Sequence, residues 1–187
     1  RWTGLSGVLP SWPIKAVTVT GELRQVARQE LEDSIVASLS EDFFSVDVSA
    51  IREVALATPW IEEVAVRKVW PDKLHIQVRE RQAVARWGAG GLVDRKGVLF
   101  FPTNGAGLDG LLVLSGPDRS QLRLLERFED LRRDLRGIGL AIERVELDPR
   151  IGLNLRFAGG LEMVLGHAIG RSQLQRIATH LPETLGA

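Results

Sequence analysis

The residues of this chain whose types could do chemistry are three histidines, two acidic pairs, a glycine-rich run and five tryptophans. His75, His167 and His180 are scattered, and none has a second ligand at metal-binding spacing, so no metal site is expected. His75 falls on the polar face of an alternating run and is expected to be solvated. Glu62-Glu63 and Glu129-Asp130 raise the two-carboxylate chemistry of glycoside hydrolysis. Neighbours in a strand point to opposite faces, so Glu62 and Glu63 are expected to diverge; so are Glu129 and Asp130, adjacent on a helix. Gly105-Ala106-Gly107-Leu108-Asp109-Gly110 matches a dinucleotide-binding pattern letter by letter. That pattern works only between a strand and a helix, whose N-terminus receives the pyrophosphate. Here Pro102-Thr103-Asn104 precedes it and an apolar strand run follows, which predicts a flexible loop. The tryptophans could stack on sugars, but Trp60, Trp70 and Trp87 stand at strand ends beside Pro59, Pro71 and Gly88, where an aromatic is expected to seal a small core. No P-loop, nucleophile elbow or metalloprotease helix is present. The residues predict no catalytic site, no cofactor and no small-molecule ligand.

Composition narrows the classes further. The 187 residues can bury one good core or two small ones, and 44% hydrophobic with 26% charged residues describes an ordinary globular chain. Twenty-four basic residues balance 24 acidic ones, so no long-range field draws the chain to nucleic acid or an anionic membrane. Absence of cysteine excludes disulfides, thiolate metal sites and cysteine nucleophiles. No apolar run approaches the roughly 20 residues that span a bilayer. The chain begins at Arg1 instead of methionine, which fits a piece of a longer protein from which an anchor has been removed.

The elements follow from periodicity. Arg1 to Trp12 has no period and reads as an extended lead-in, its Trp2, Leu5, Val8 and Leu9 able to pack on the body or lie near a membrane. Ile14 to Thr20 is a β-branched strand closed by Gly21. Val26, Leu31, Ile35, Val36 and Leu39 predict a helix, and Asp47 caps a second with inner face Ile51, Val54 and Ala55, ended by Pro59. Then comes a hairpin: Val64 and Val66 face one way, Ala65 and Arg67 the other, and Leu74, Ile76 and Val78 share a face, with the turn at Trp70-Pro71-Asp72-Lys73. A second unit starts after Arg81. It has strands at Val84–Trp87, a hairpin from Leu92 to Phe101 around Asp94-Arg95-Lys96-Gly97, and a strand at Leu111–Leu114. Ser120 is placed to cap a helix with inner face Leu124, Leu125, Phe128, Leu131 and Leu135, ended by Gly137 and Gly139. Strands Ile142–Leu147, Gly152–Phe157 and Leu161–Leu165 follow, then a helix from Arg171 carrying Leu174, Ile177, Ala178 and Leu181. The sequence stops at Ala187, and a hydrophobic helix with no strand after it reads as an interrupted domain.

The strand-helix-helix-strand-strand unit resembles a POTRA domain. Pro59-Trp60-Ile61, Val64-x-Val66-Arg67-Lys68-x-Trp70-Pro71-Asp72-x-Leu74-x-Ile76, Glu80 and Ala85-Arg86-Trp87 are similar to the FtsQ/DivIB family of bacterial cell-division proteins. So are Leu92-Val93-Asp94-x-x-Gly97 and Gly116-Pro117 before the long helix. The resemblance covers roughly Pro13 to Leu181 and marks Pro59, Trp60, Val66, Arg67, Trp70, Pro71, Glu80 and Trp87 as structural motif residues. It implies an α+β protein: a juxtamembrane lead-in at 1–12, a POTRA domain at 13–81, and at 82–187 a second α+β domain with a mainly antiparallel sheet, two helices and its last strand missing. It also implies a non-catalytic scaffold of the divisome. Such a protein is single-pass in the inner membrane, with this region in the periplasm at the septum, and binds FtsB and FtsL as a trimeric subcomplex alongside other divisome membrane proteins. In the family an FtsB segment adds to the edge of the second sheet beside the last strand, so the main FtsB-binding strand is expected beyond Ala187. Arg150 lies near the family's basic residue facing FtsB and is the candidate partner-binding residue here. The alternative reading is a POTRA-bearing component of an outer-membrane assembly or secretion pore, which would need tandem repeats or a downstream barrel.

Overall fold

A computed structural model describes residues 12–39, 42–136, 139–166, 172–174, 176, 177 and 179. Two units divide at Arg81/Gln82, and each holds its own sheet and core. The protein is α+β, with a strand-helix-helix-strand-strand first unit and a second, sheet-rich one.

The first unit runs β1 (Ala16–Thr20), α1 (Arg28–Ala37), α2 (Val48–Leu56), β2 (Ile61–Val69) and β3 (Lys73–Glu80). Its sheet has the order β1-β3-β2, with β1 parallel and β2 antiparallel to β3. The parallel pair requires a crossover, and the two helices supply it. Leu74, Ile76 and Val78 face the core from the central strand, meeting Val19, Val64, Leu31, Ile35, Ile51 and Ala55. Asp47 caps α2 as expected: its Oδ1 accepts from Ser49 N at 2.8 Å. α2 ends at Leu56, short of Pro59.

Gly21 makes β1 possible in this place. Its φ is +140°, and a Cβ there would run into the carbonyl oxygen of Val78, so only glycine lets β1 leave the sheet beside β3. The Arg28 guanidinium then donates to the carbonyls of Val19 and of Gly21, the latter at 2.9 Å, fastening the start of α1 to the end of β1.

Four expectations for this unit need correcting. Val36 is 53% exposed while its neighbour Ile35 is buried, because α1 turns Leu31 and Ile35 to the core and Val36 lies about 100° further around the helix, away from Leu31. Trp70 does not seal a core but is 67% exposed. It lies past Val69↔Lys73, the last strand pair of the hairpin, where nothing stands opposite it. Its ring meets its aromatic neighbours Phe43 and Phe44, edge to face at 5.6 and 5.4 Å between centroids. His75 is half-buried and hydrogen-bonded through Nε2 to Thr20 Oγ1 at 3.0 Å, since β1 lies alongside β3. Glu62 and Glu63 do not diverge: a bulge between Ile61 and Glu63 breaks the alternation, and both carboxylates reach the Arg79 guanidinium.

The second unit runs β4 (Ala83–Trp87), β5 (Gly91–Asp94), β6 (Leu99–Phe100), β7 (Leu112–Ser115), α3 (Gln121–Asp134), β8 (Ile142–Asp148), β9 (Gly152–Phe157) and β10 (Glu162–Leu165). The sheet order is β10-β9-β8-β7-β4-β5-β6. It is mixed: β7 is parallel to both β4 and β8, and the remaining pairs are antiparallel. α3 is the crossover between parallel neighbours β7 and β8, and its Leu124, Leu131 and Leu135 close one face of the sheet over Leu114, Val145, Leu155 and Phe157. Leu125 and Phe128 pack half-buried beside them. Leu174, in the helical residues after β10, joins the same core.

Asp94 and Gly97 form the turn that docks this sheet on α3. Buried Asp94 accepts at Oδ1 from Lys96 N and Val98 N, at 2.9 and 2.8 Å. Gly97 has φ +76°, and a Cβ there would lie 2.5 Å from Leu122 Cβ. The loop before β7 contains Gly105–Gly110 and leads into a strand, not a helix, as expected. Ser120 departs from expectation. It precedes α3 with φ −92° and ψ 3°, not the extended geometry of an N-cap, and its hydroxyl donates back to Pro117 O at 2.6 Å. Gly137, Ala178, Leu181, His167, His180 and the last residue, Ala187, lie outside the described residues. The partner-binding strand expected beyond Ala187 therefore has no counterpart among them, and β10 is the last strand described.

Candidate partner-binding surface

Four motif residues of the first unit, Pro59, Trp60, Val66 and Glu80, hold structure together. Glu80 is the clearest. Its Oε2 accepts from Arg24 N at 2.7 Å, and its Oε1 accepts from Gln25 N and Val26 N at 2.8 Å each. One carboxylate thereby satisfies three backbone donors in the segment before α1, from the far end of the unit in sequence. Trp60 is buried and its carbonyl accepts from Arg81 N at 2.6 Å, while Pro59 O accepts from Arg81 Nε at 3.3 Å. Lys15 Nζ pairs with Asp72 Oδ2 at 2.9 Å, tying the approach to β1 to the hairpin turn. Pro71 is exposed in that turn. Lys68 donates to the carbonyls of Phe43 and Phe44, at 3.0 and 3.2 Å. Val66 packs half-buried on the core, and Arg67 is exposed on the opposite face. In the second unit Trp87 is half-buried against its core.

Neither acidic pair builds an acid–base site. Arg79 joins Glu62 to Glu63, and on α3 Glu129 and Asp130 each take their own arginine, Arg132 at 2.7 Å and Arg133 at 3.0 Å. Among the described residues no group of three or more His, Asp or Glu could hold a metal ion.

What the second unit offers is backbone. β10 ends the sheet order, so one side pairs with β9 while the other has no strand partner among the described residues. Unpaired donors and acceptors along such an edge are a template for a further strand. Val164, within it, is 59% exposed. The Arg156–Glu162 pair spans β9 and β10 at 2.9 Å from Nε, fixing the register next to that edge. Arg150 stands in the β8–β9 turn, where Asp148 Oδ1 accepts from Arg150 N at 2.7 Å and Ile151 N at 3.2 Å. Its exposed guanidinium has no partner among the described residues. The structure thus separates Pro59, Trp60, Val66 and Glu80, which hold the first unit, from the Arg150 guanidinium and the β10 edge in the second, which have no partner among the described residues. Sequence reasoning misses Arg28 and Asp72 as ties. The signal for Arg28 lies only in its place after a glycine-closed strand.

The two units match two family models. Residues 12–81 match the FtsQ-type POTRA domain, and residues 85–186 match the C-terminal domain of cell division protein FtsQ/DivIB. The chain belongs to the FtsQ/DivIB family. It is 31% identical to the cell division protein FtsQ of Allochromatium vinosum, over 88% of this chain and 66% of that protein. Identity is also 31% to the FtsQ of Xanthomonas campestris pv. campestris, over 92% of this chain and 62% of the relative. The FtsQ of a Thioalkalivibrio strain is 31% identical over 91% of this chain and 70% of its own length. The chain therefore spans under two thirds of the Allochromatium and Xanthomonas proteins. Membership places it among cell-division proteins, and no described helix is long and apolar enough to cross a membrane.

Proposed function

We propose that this chain is the periplasmic part of a non-catalytic divisome scaffold that binds FtsB and FtsL, linking early division proteins to septal peptidoglycan synthesis. In this reading 13–81 is the POTRA domain, 82–187 the partner-binding domain and 1–12 the lead-in from an inner-membrane anchor at the septum. The side of β10 that has no strand partner among the described residues carries the proposal. A partner segment that adds there gains main-chain hydrogen bonds, and side chains flanking the edge select the sequence. Arg150, unpaired and presented by the Asp148-bonded turn, supplies an acid-selective contact at the end of that ladder. The match of 85–186 to the FtsQ/DivIB C-terminal domain favours this reading over a POTRA component of an outer-membrane pore.

Calorimetry with the periplasmic segment of FtsB tests it, on this chain and on one extended past Ala187. Saturable binding by the chain, weakened roughly tenfold by Arg150→Glu, is expected for loss and reversal of one charge-assisted contact. Binding by the extended chain alone would move the site from the β10 edge to a strand beyond Ala187. Hydrolysis of peptidoglycan fragments by the chain would contradict a scaffold without catalysis.

A further inference from the structure

A cavity of about 390 Å³ lies at one end of the second unit, lined by Arg123, Leu124 and Arg127 of α3, Leu147 of β8, Gly152 and Leu153 of β9, and Gly166 after β10. We propose that it is a second recognition site, for a short segment of a partner protein that carries a carboxylate next to an aliphatic side chain.

Three observations converge on that chemistry. The first is the arginines. Arg123 and Arg127 are one turn apart on α3, and neither guanidinium has a hydrogen bond or ion pair among the described residues. Further along the helix, Arg132 and Arg133 are each paired to an acid, so the helix does not lack ways of neutralising a cation. The second is their place on the helix. Arg123 sits in the first turn of α3, which carries no acidic residue, and Ser120 gives no side-chain cap. A cation at the positive end of the helix dipole is unfavourable for the helix itself. A local rule broken without internal compensation marks a position kept for something outside the chain. The third is the wall. Leu124, Leu147 and Leu153 give an apolar floor, and Gly166 is exposed at the rim beside the buried Gly152. Paired arginines above leucines suit a carboxylate, which accepts from a guanidinium in a fork, with an adjoining aliphatic group below. The volume fits two or three residues, within the size of small-ligand clefts. Because the protein has no net charge, selectivity has to come from these local groups. The site uses side chains and the α3 face, so it stands whether or not a strand adds to β10.

Titrating the ¹⁵N-labelled chain with a blocked leucine–glutamate hexapeptide tests it. Saturable shifts are expected at the amides of Gly152 and Gly166 and at Nε of Arg123 and Arg127. The leucine–glutamine counterpart is expected to leave them unmoved. Arg123→Glu with Arg127→Glu should weaken binding roughly tenfold or more, whereas Arg132→Glu with Arg133→Glu, the same change in charge, should not. If the first pair perturbs folding, Arg123→Gln with Arg127→Gln serves in its place with the same expectation. Shifts confined to β10 amides, equal shifts with inorganic phosphate, or none at millimolar peptide would each overturn the proposal.

Discussion

The polar side chains singled out in the two units do different work. In the first, Glu80, Arg28, Lys68 and the Lys15–Asp72 pair are all bonded within the unit, mostly to backbone groups that no helix or strand satisfies. In the second, Asp94 and Asp148 do the same for two turns, but among the described residues Arg123, Arg127 and Arg150 are unpaired and one side of β10 has no strand partner. Asp72 is buried and Glu80 half-buried, so their polar groups must be satisfied, and the exposed Lys15, Arg28 and Lys68 reach inward to Asp72 or to backbone carbonyls; these ties specify the fold of the first unit. In the proposed reading Arg150 and the side of β10 that has no strand partner among the described residues are where a partner binds.

Substitutions that strike each class separate it from the other. Ile76→Asp should have the largest effect, because the position is fully buried in the central strand of the first unit and the charge has no partner. A loss of about 4 kcal/mol or more is expected, read as collapse of amide protection across β1, β2 and β3. Val66→Asp, at a half-buried site, should cost less. In the second unit Gly97→Ala combines a left-handed φ with contact against Leu122, and should cost about 3 kcal/mol in urea denaturation. Glu80→Ala removes the acceptor of three backbone donors and should cost about 2 kcal/mol, with Glu80→Gln recovering part of it. Arg150→Glu should change stability by less than about 0.5 kcal/mol, since it breaks no internal bond of the guanidinium. An Arg150→Glu loss as large as that of Glu80→Ala would erase the distinction between the units.

Sequence pattern reaches the first unit's fold through period-two alternation at Leu74, Ile76 and Val78 and helical spacing at Leu31 and Ile35, because burial is what periodicity reports. Spacing alone misplaces Val36, which fits the helical period but lies on the side away from Leu31, and it misses the bulge that brings Glu62 and Glu63 onto Arg79. Bulges change register without changing composition, so alternation counted along one strand does not detect them. Trp70 is misjudged for a related reason: an aromatic beside a turn proline seals a core only if chain stands opposite it, and that is a property of the pairing. The Asp94–Gly97 turn is visible as a hairpin, whereas its contact with Leu122 is not. A recognition edge in the second sheet is legible only through the family resemblance, which puts it beyond Ala187; that β10 itself ends the described sheet is a matter of strand order, a long-range fact. The cavity flanked by Arg123 and Arg127 needs the packing of α3 over β8 and β9 and leaves no motif.

The central claim is that recognition belongs to the second unit. Hydrogen exchange on the chain, with and without the periplasmic segment of FtsB, tests it most directly. The account predicts slowed exchange at the amides of Glu162 to Leu165 and in the Arg150 turn, with β2 and β3 unchanged. Protection gained instead along β2 or the Trp70 hairpin, with β10 unaffected, would contradict it.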